Sequence, residues 1–157
     1  MEIEIKRWGD NGLYVEGRLI VNDKMSIPYT VEYHDDKLKA GTYQARLKKH
    51  GDSVTLVIDD GQGHERPLIG GHSFYSSWKE KAIVVGDRLI PGATIHGHDH
   101  LDRLIDRLRK AVRSGKPVTV TVTEDEMTQT TVARHWLEAD YLACFTSHDD
   151  PAGQELC

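Results

Sequence analysis

A chain of 157 residues has the size of one domain, and its 38% hydrophobic and 29% charged residues are an ordinary balance for a globular protein. The net charge of −5 argues against non-specific binding to nucleic acid or to an anionic membrane, because both reward a basic surface. No apolar run approaches the roughly 20 residues that cross a bilayer, and no apolar signal-peptide core follows Met1. We therefore expect no membrane segment, and a chain that folds in the cytoplasm or is carried elsewhere by another machine.

Alternation of polar and apolar residues dominates the first half of the chain and is typical of half-buried β-strands. The expected strands are one around Ile3 and Ile5 and four more over residues 13–21, 27–33, 42–47 and 53–58. Glu16-Gly17 predicts a turn or bulge inside the second strand, and Pro28 predicts an edge or a start for the third. Residues 34–37 and 59–63 have the composition of solvated loops.

The part of the chain from residue 68 to residue 122 has the clearest order of elements. Apolar Leu68-Ile69, a polar connection, the apolar run 82–86, a link over 87–92 and a short segment 93–95 lead into a helix. The helix is predicted over residues 99–114, with Asp99 as its N-cap and Gly115 at its end. Its expected buried face consists of Leu101, Leu104, Ile105, Leu108, Ala111 and Val112. The arginine-rich remainder is interpreted as a solvated face.

Two further elements complete the expected fold. Valines alternate with threonines over residues 118–123, which predicts a last strand, and residues 130–145 carry an apolar stripe that predicts a second helix. The fold class is therefore α+β and rich in β-structure. We expect a mixed sheet or small barrel-like core with one packed amphipathic helix and a C-terminal helix. Residues 1–123 form the β-rich domain, and residues 124–157 form a helical extension and tail.

Four short motifs occur in a specific order over residues 1–123. They are Asn11-Gly12-Leu13-Tyr14-Val15-Glu16-Gly17, Ala40-Gly41-Thr42-Tyr43, Val85-Gly86 and the run over residues 113–120. In this order they resemble a small bacterial and phage domain family of unknown function that is similar to the L,D-transpeptidase fold. The resemblance implies a phage- or secretion-associated protein.

In that family an Ile-His-x-Gly-Asn segment precedes a Glu-Gly-Cys-Ile-Leu-Val-Gly strand, and the cysteine thiolate attacks a peptide carbonyl with the help of the histidine. In this chain His72 falls near the histidine position, and Ala82 stands where the nucleophile belongs. The resemblance thus implies a degenerate active site without cysteine-dependent acyl transfer. A serine such as Ser73 beside His72 is an alternative nucleophile, but no nucleophile-elbow pattern supports it.

The histidine-rich stretch Ile95-His96-Gly97-His98-Asp99-His100 favours a second hypothesis. If the stretch is extended, His96 and His98 point to one side and can reach a divalent metal, with His100, Asp99 or His72 as a further ligand. The spacing is one residue short of the metallo-β-lactamase pattern. Adventitious metal binding and a plain polar loop remain alternatives, and no other cofactor is expected.

The loop after Gly71 carries the aromatic residues Phe74, Tyr75 and Trp78 beside Ser73. Such a cluster either packs over the sheet or forms a recognition surface for a peptide, a glycan or another subunit. The leading hypothesis is a non-catalytic or catalytically altered L,D-transpeptidase-like binding or assembly module that uses residues 70–78. A metal-dependent hydrolase at His96 and His98 is the second hypothesis. A structural, homo-oligomerising or virion component that associates through residues 130–145 is the third.

Overall fold

The computed structural model describes residues 1–22, 24–71 and 81–124. Its strands are β1 (Glu2–Asp10), β2 (Tyr14–Val21), β3 (Met25–Tyr33), β4 (Gly41–His50), β5 (Ser53–Asp59), β6 (Glu65–Gly70), β7 (Ile83–Ile90), β8 (Ala93–Ile95) and β9 (Val118–Thr123). The helix α1 spans Gly97–Arg113, and a single 3-10 turn covers His34–Asp36. Within these ranges no helix combines the length and the apolar character that crossing a membrane requires.

Eight of these strands form a closed, mixed barrel. The neighbours run in the order β3, β2, β1, β9, β4, β5, β6 and β7, and a pairing between β3 and β7 closes the ring. The β1–β9 and β6–β7 pairs are parallel, the other pairs of the ring are antiparallel, and β8 pairs with β7 outside the ring. The prediction of a β-rich α+β fold with one packed helix is thereby confirmed. The predicted helix over residues 130–145 lies outside the described residues.

Two bulges bend the first strands around the barrel. The pairing of β1 with β2 shifts between Arg7 and Gly9, and the pairing of β2 with β3 shifts between Gly17 and Leu19. β2 itself runs unbroken through Glu16-Gly17, and the extra residues lie in the strands beside it, Trp8 in β1 and one of Pro28-Tyr29 in β3. Pro28 lies inside β3, so the expected strand start is wrong, but among the described strands residues 25–28 pair with β2 alone, so Pro28 lies on a local edge. Its missing N–H is tolerated there because the β3–β7 pairing stops at Tyr29.

The helix α1 packs against the barrel by a very close backbone approach at its first turn. A side-chain carbon on Gly97 would lie 2.1 Å from the backbone nitrogen of Gly71, and one on Gly70 would lie 2.6 Å from the carbonyl carbon of Gly97. Only glycine allows this contact. Farther along α1, four apolar side chains join the barrel core, namely Leu101, Leu104, Ile105 and Leu108, and Ala111 is buried as well. The prediction is wrong for Val112, which is 45% exposed.

The start of α1 also differs from the prediction. Asp99 is not the N-cap, because the helix already begins at Gly97, and its N-cap is His96 in a left-handed conformation with φ of 57°. The reason is the close approach just described: the backbone N–H of Gly97 donates to the carbonyl of Gly71 at 3.0 Å. The Gly71 carbonyl, directly after β6, therefore accepts a hydrogen bond from one of the free N–H groups at the helix start. Asp99 lies inside the first turn, where its negative charge interacts favourably with the helix dipole.

Two predicted loops are ordered structure. β7 continues through Asp87 to Ile90, so the predicted link over residues 87–92 shrinks to a turn at Pro91-Gly92. The hydrogen bond from the Gly92 backbone nitrogen to the Tyr29 hydroxyl, 2.8 Å long, fixes this turn against the barrel. In the segment that follows β3, the backbone forms the short 3-10 turn instead of a loop.

Candidate functional site

Position 82, where the resemblance places a lost nucleophile, lies directly before β7. Ala82 is only 5% exposed and does not line the grooves and cavities described below. The other residues of the predicted catalytic and binding loop, His72, Ser73, Phe74, Tyr75 and Trp78, lie outside the described residues. The proximity of His72 to position 82 therefore stays a prediction.

The predicted metal ligands do not share an extended segment. His96 caps α1, whereas His98 and His100 lie on the helix, where two residues of separation correspond to about 200° around the axis. The residue that the structure brings to this cluster is Asp87 of β7. Its carboxylate binds both His96 Nδ1, at 3.0 Å, and His100 Nε2, at 2.8 Å. Burial acts to raise the pKa of Asp87, but the hydrogen bonds from His100 and His96 outweigh it and lower the pKa.

A contact with Arg103 determines which ring nitrogen of His100 accepts a hydrogen bond. Arg103 Nη2 lies 2.6 Å from His100 Nδ1, and because a guanidinium only donates, Nδ1 is the acceptor and Nε2 carries the proton. With its Nε2 proton directed at Asp87, His100 could bind a metal only through Nδ1, the nitrogen that Arg103 contacts here. In the described part of the chain no three His, Cys, Asp or Glu side chains are placed to hold a metal ion. A metal site at His96, His98 and His100 stays a prediction.

The barrel interior contains a buried ion pair that the sequence did not indicate. Arg7 is fully buried, and its guanidinium donates to both carboxylate oxygens of Glu32, at 3.0 and 2.8 Å, and to Glu124 at 2.8 Å. Burial acts to lower the pKa of Arg7, but the charges and hydrogen bonds of Glu32 and Glu124 raise it above its ordinary value. The Leu38 backbone N–H also donates to Glu32. These contacts leave the network little capacity to bind a ligand.

A second polar network lies on the outer face of β2, β3 and β7. The Tyr29 hydroxyl donates to the buried carboxylate of Glu16 at 2.5 Å, and Arg88 Nε donates to the same oxygen at 3.2 Å. The Arg88 guanidinium also stacks over the rings of Trp8 and Tyr29, 5.7 Å from each centroid. Burial and the Glu16 charge raise the pKa of Tyr29, so that its hydroxyl stays a donor. These groups satisfy one another and stabilise the β7–β8 turn.

The open part of the barrel wall is the junction between β5 and β6. β6 pairs with β5 only over Glu65–Pro67 and then pairs with β7 over Leu68–Gly70. Pro67 has no N–H to continue the ladder, which explains why the partner changes there. Among the described strands, residues 53–56 of β5 therefore pair with β4 alone. A hydrogen bond of 2.8 Å from Thr55 Oγ1 to the Leu68 carbonyl bridges the gap.

A groove of about 700 Å³ occupies this gap between β5, β6 and the first half of α1; we call it the β5–β6 groove. Its apolar lining consists of Val54, Val57, Pro67, Leu68, Ile69, Leu101 and Ile105, and its polar lining includes Lys48, His64, Glu65, His98 and Asp102. Leu68, Leu101 and Ile105 also belong to the barrel core, so the floor of the groove is part of the folded structure. At the rim, Glu65 accepts hydrogen bonds from Lys48 at 3.2 Å and forms an ion pair with Arg46.

Two residues connect this groove to the sequence predictions. Gly70, the first residue of the predicted recognition loop, lines the groove, and His98, a predicted metal ligand, lies in the same lining. The rest of the lining was not predicted, because Val54, Thr55 and Pro67 are ordinary strand residues. The available signal was Pro67 within an apolar strand, which marks a place where a ladder must end.

Comparison with models of protein families, with curated protein sequences and with solved structures gave no match to this chain.

Proposed function

We propose that this chain is a peptide-binding module, a non-catalytic or catalytically altered relative of the L,D-transpeptidase-like domains, and that the β5–β6 groove holds an extended peptide. The observation that carries the proposal is the change of partner of β6 at Pro67, after which no described strand pairs with residues 53–56 of β5 on that side. A strand edge of this kind offers backbone donors and acceptors to an added strand.

The lining of the groove supports a peptide ligand. In an extended peptide alternate side chains point to one face, and the floor formed by Leu68, Leu101 and Ile105 offers apolar contacts to that face. The volume of about 700 Å³ lies within the ordinary range for ligand sites. Lys48 and Glu65 at the rim carry opposite charges and are exposed, so they can exchange their mutual contact for contacts with a ligand.

The chemistry around position 82 supports binding over acyl transfer. A methyl group offers no nucleophile, and Ala82 is buried at the start of β7. The full-length protein should therefore release no product from peptidoglycan stem peptides in transpeptidase and carboxypeptidase assays. Turnover that disappears in His72→Ala would contradict a pure binding role.

Selection from a displayed random-hexapeptide library on the full-length protein tests the proposal. We expect enriched peptides with alternating β-branched residues, whose binding is lost in Val54→Arg, because the arginine fills the groove. Val112→Arg is the matched control, since it adds the same charge at an exposed position of α1 outside the groove. Circular dichroism checks that both variants are folded. No enrichment, or equal binding by both variants, would contradict the proposal.

A further inference from the structure

A second cavity lies at the other half of α1 and has a different character. It measures about 660 Å³, and we call it the basic cavity; its polar lining consists of Glu2, Asn22, Arg107, Lys110, Ser114 and Lys116. Arg107, Lys110 and Lys116 are all exposed. Within the described residues, no carboxylate lies within ion-pair distance of any of these three cations. Arg7, Lys37, Arg46, Lys48 and Arg88, in contrast, have acidic partners.

The charges of the chain are distributed unevenly along its sequence. Of the 25 acidic residues, seven lie in residues 125–157, a stretch of 33 residues with one basic residue, Arg134. Residues 1–124 hold the other 18 acidic residues and 19 of the 20 basic ones. The negative charge of the protein therefore comes from residues 125–157, which we call the acidic segment.

We propose that the basic cavity is the docking site of the acidic segment of the same chain. Glu124, where the description ends, is held by Arg7 directly after β9, whereas Lys116 precedes the start of β9. The segment must therefore return over the length of β9, about 20 Å for six residues. About six extended residues cover that distance, a small part of the segment. Tethering gives such a segment an effective concentration on the order of millimolar, so weak electrostatic contacts suffice.

This docking is independent of the β5–β6 groove. The groove is lined by the first half of α1, and the basic cavity by the second half and the turn that follows. The acidic segment would neutralise three neighbouring like charges that otherwise repel one another. Arg107 and Lys110, which belong to the face of α1 interpreted from sequence as merely solvated, thereby gain a partner of defined chemistry.

Carbodiimide crosslinking of the full-length protein tests the proposal, because the reagent joins a lysine amine to a carboxylate that is already in contact with it. Mass spectrometry should find Lys110 or Lys116 joined to carboxylates of the acidic segment. The yield should fall about tenfold between roughly 0.05 and 0.5 M salt. Lys49, which is exposed on β4, is the reference lysine and should give no such product. An absence of products at Lys110 and Lys116, or equal yields at Lys49, would overturn the proposal.

Two controls separate this contact from general attraction and from dimerisation. Arg107→Gln should lower the crosslinking yield severalfold, while Arg109→Gln, which removes the same charge from α1 outside the cavity, should leave it unchanged. An equal mixture of ¹⁵N-labelled and unlabelled protein distinguishes products within one chain from products between chains. Equal effects of the two variants, or products mainly between chains, would contradict docking within the chain.

Discussion

Two regions of the same barrel differ in whether their polar groups are bonded within the protein. Around Arg7 the interior is closed, and the guanidinium and the Glu32 carboxylate occupy one another with a bidentate contact. At the β5–β6 junction the wall is open, and the Thr55 hydroxyl of β5 donates across the gap to the carbonyl of Leu68. The residues with conspicuous chemistry thus stabilise the fold, while the open site consists of ordinary strand residues.

The difference teaches how to separate structural from functional polar groups in this protein. A buried charge whose donors and acceptors are satisfied gains nothing from a ligand and is strongly disfavoured when its partner is removed. A strand edge that is backed by an apolar floor gains hydrogen bonds and buried area when a ligand arrives. Perturbing the closed region should therefore change stability, and perturbing the groove should change binding.

The largest expected effect concerns the buried pair. Glu32→Leu should lower the free energy of unfolding by about 3–5 kcal/mol, because it leaves the charge of Arg7 buried with Glu124 as its remaining acidic partner. The double variant Arg7→Met/Glu32→Leu should recover most of this loss. Urea unfolding with an unchanged m-value measures both. A double variant that is as unstable as the single one would mean that the pair itself, and not the orphaned charge, matters.

The next effect concerns the contact that places α1 beside the groove. Gly97→Ala should cost about 3 kcal/mol, because the new carbon would meet backbone atoms of Gly70, Gly71 and Val85 that cannot move aside. Gly115→Ala is the graded control: its φ of 76° is positive, which Gly97 does not share, but nothing lies within 4 Å, so about 1 kcal/mol is expected. Thermal and urea unfolding should rank the variants in that order. Equal costs would contradict the close packing of the first turn of α1.

A smaller effect is the contribution of Asp10 to the free energy of unfolding, which depends on pH. Asp10 accepts hydrogen bonds from Lys37 and His34, each at 2.8 Å, and from the Gly12 backbone at 2.9 Å. Burial acts to raise its pKa, but these contacts lower the pKa overall. A lowered folded-state pKa stabilises the fold above the ordinary carboxyl pKa of about 3.9, and the contribution disappears as the pH falls through the folded value.

Asp10→Asn should therefore cost about 1–2 kcal/mol at pH 7, the size of a hydrogen-bonded charge. The difference between the variant and the wild type should shrink once the pH falls below about 4. Unfolding curves recorded at both pH values provide the measurement. A cost that stays constant down to pH 2 would show that the carboxylate charge plays no part.

The smallest expected change in stability accompanies Ala82→Cys, made together with Cys144→Ser and Cys157→Ser. The introduced thiol should react with a water-soluble disulfide reagent at least about tenfold more slowly than one introduced by Gln44→Cys, because position 82 is buried and position 44 is exposed. Equal reaction rates would place position 82 at an accessible surface. That result would favour a remnant of a catalytic cleft there.

Local patterns predicted much of this fold. The alternation of Val118, Val120 and Val122 with threonines corresponds to β9, whose valines are buried. The irregularity predicted at Glu16-Gly17 of β2 lies instead in the neighbouring strands β1 and β3. The buried face of α1 was predictable because helical periodicity is a local property. Closure of the barrel was not, since the β3–β7 pairing joins residues more than fifty positions apart.

The errors have one common cause, which is contact between distant segments. The start of α1 is fixed by the carbonyl of Gly71 and not by Asp99, and the histidines that suggested a metal site are arranged by Asp87 of β7. The β5–β6 groove could not be predicted from the sequence for the same reason. Pro67 indicates that a ladder ends, but only the fold determines that residues 53–56 of β5 lie across the gap.

The most direct test of the central claim is a titration of the ¹⁵N-labelled full-length protein with the most frequently selected hexapeptide, followed by NMR. The account predicts that the largest shifts fall on the backbone amides of residues 53–57 and 67–70, and that amides of residues 53–56 become protected from hydrogen exchange. Shifts concentrated around Arg7 and Glu32 or at the last turn of α1, without new protection in β5, would contradict it.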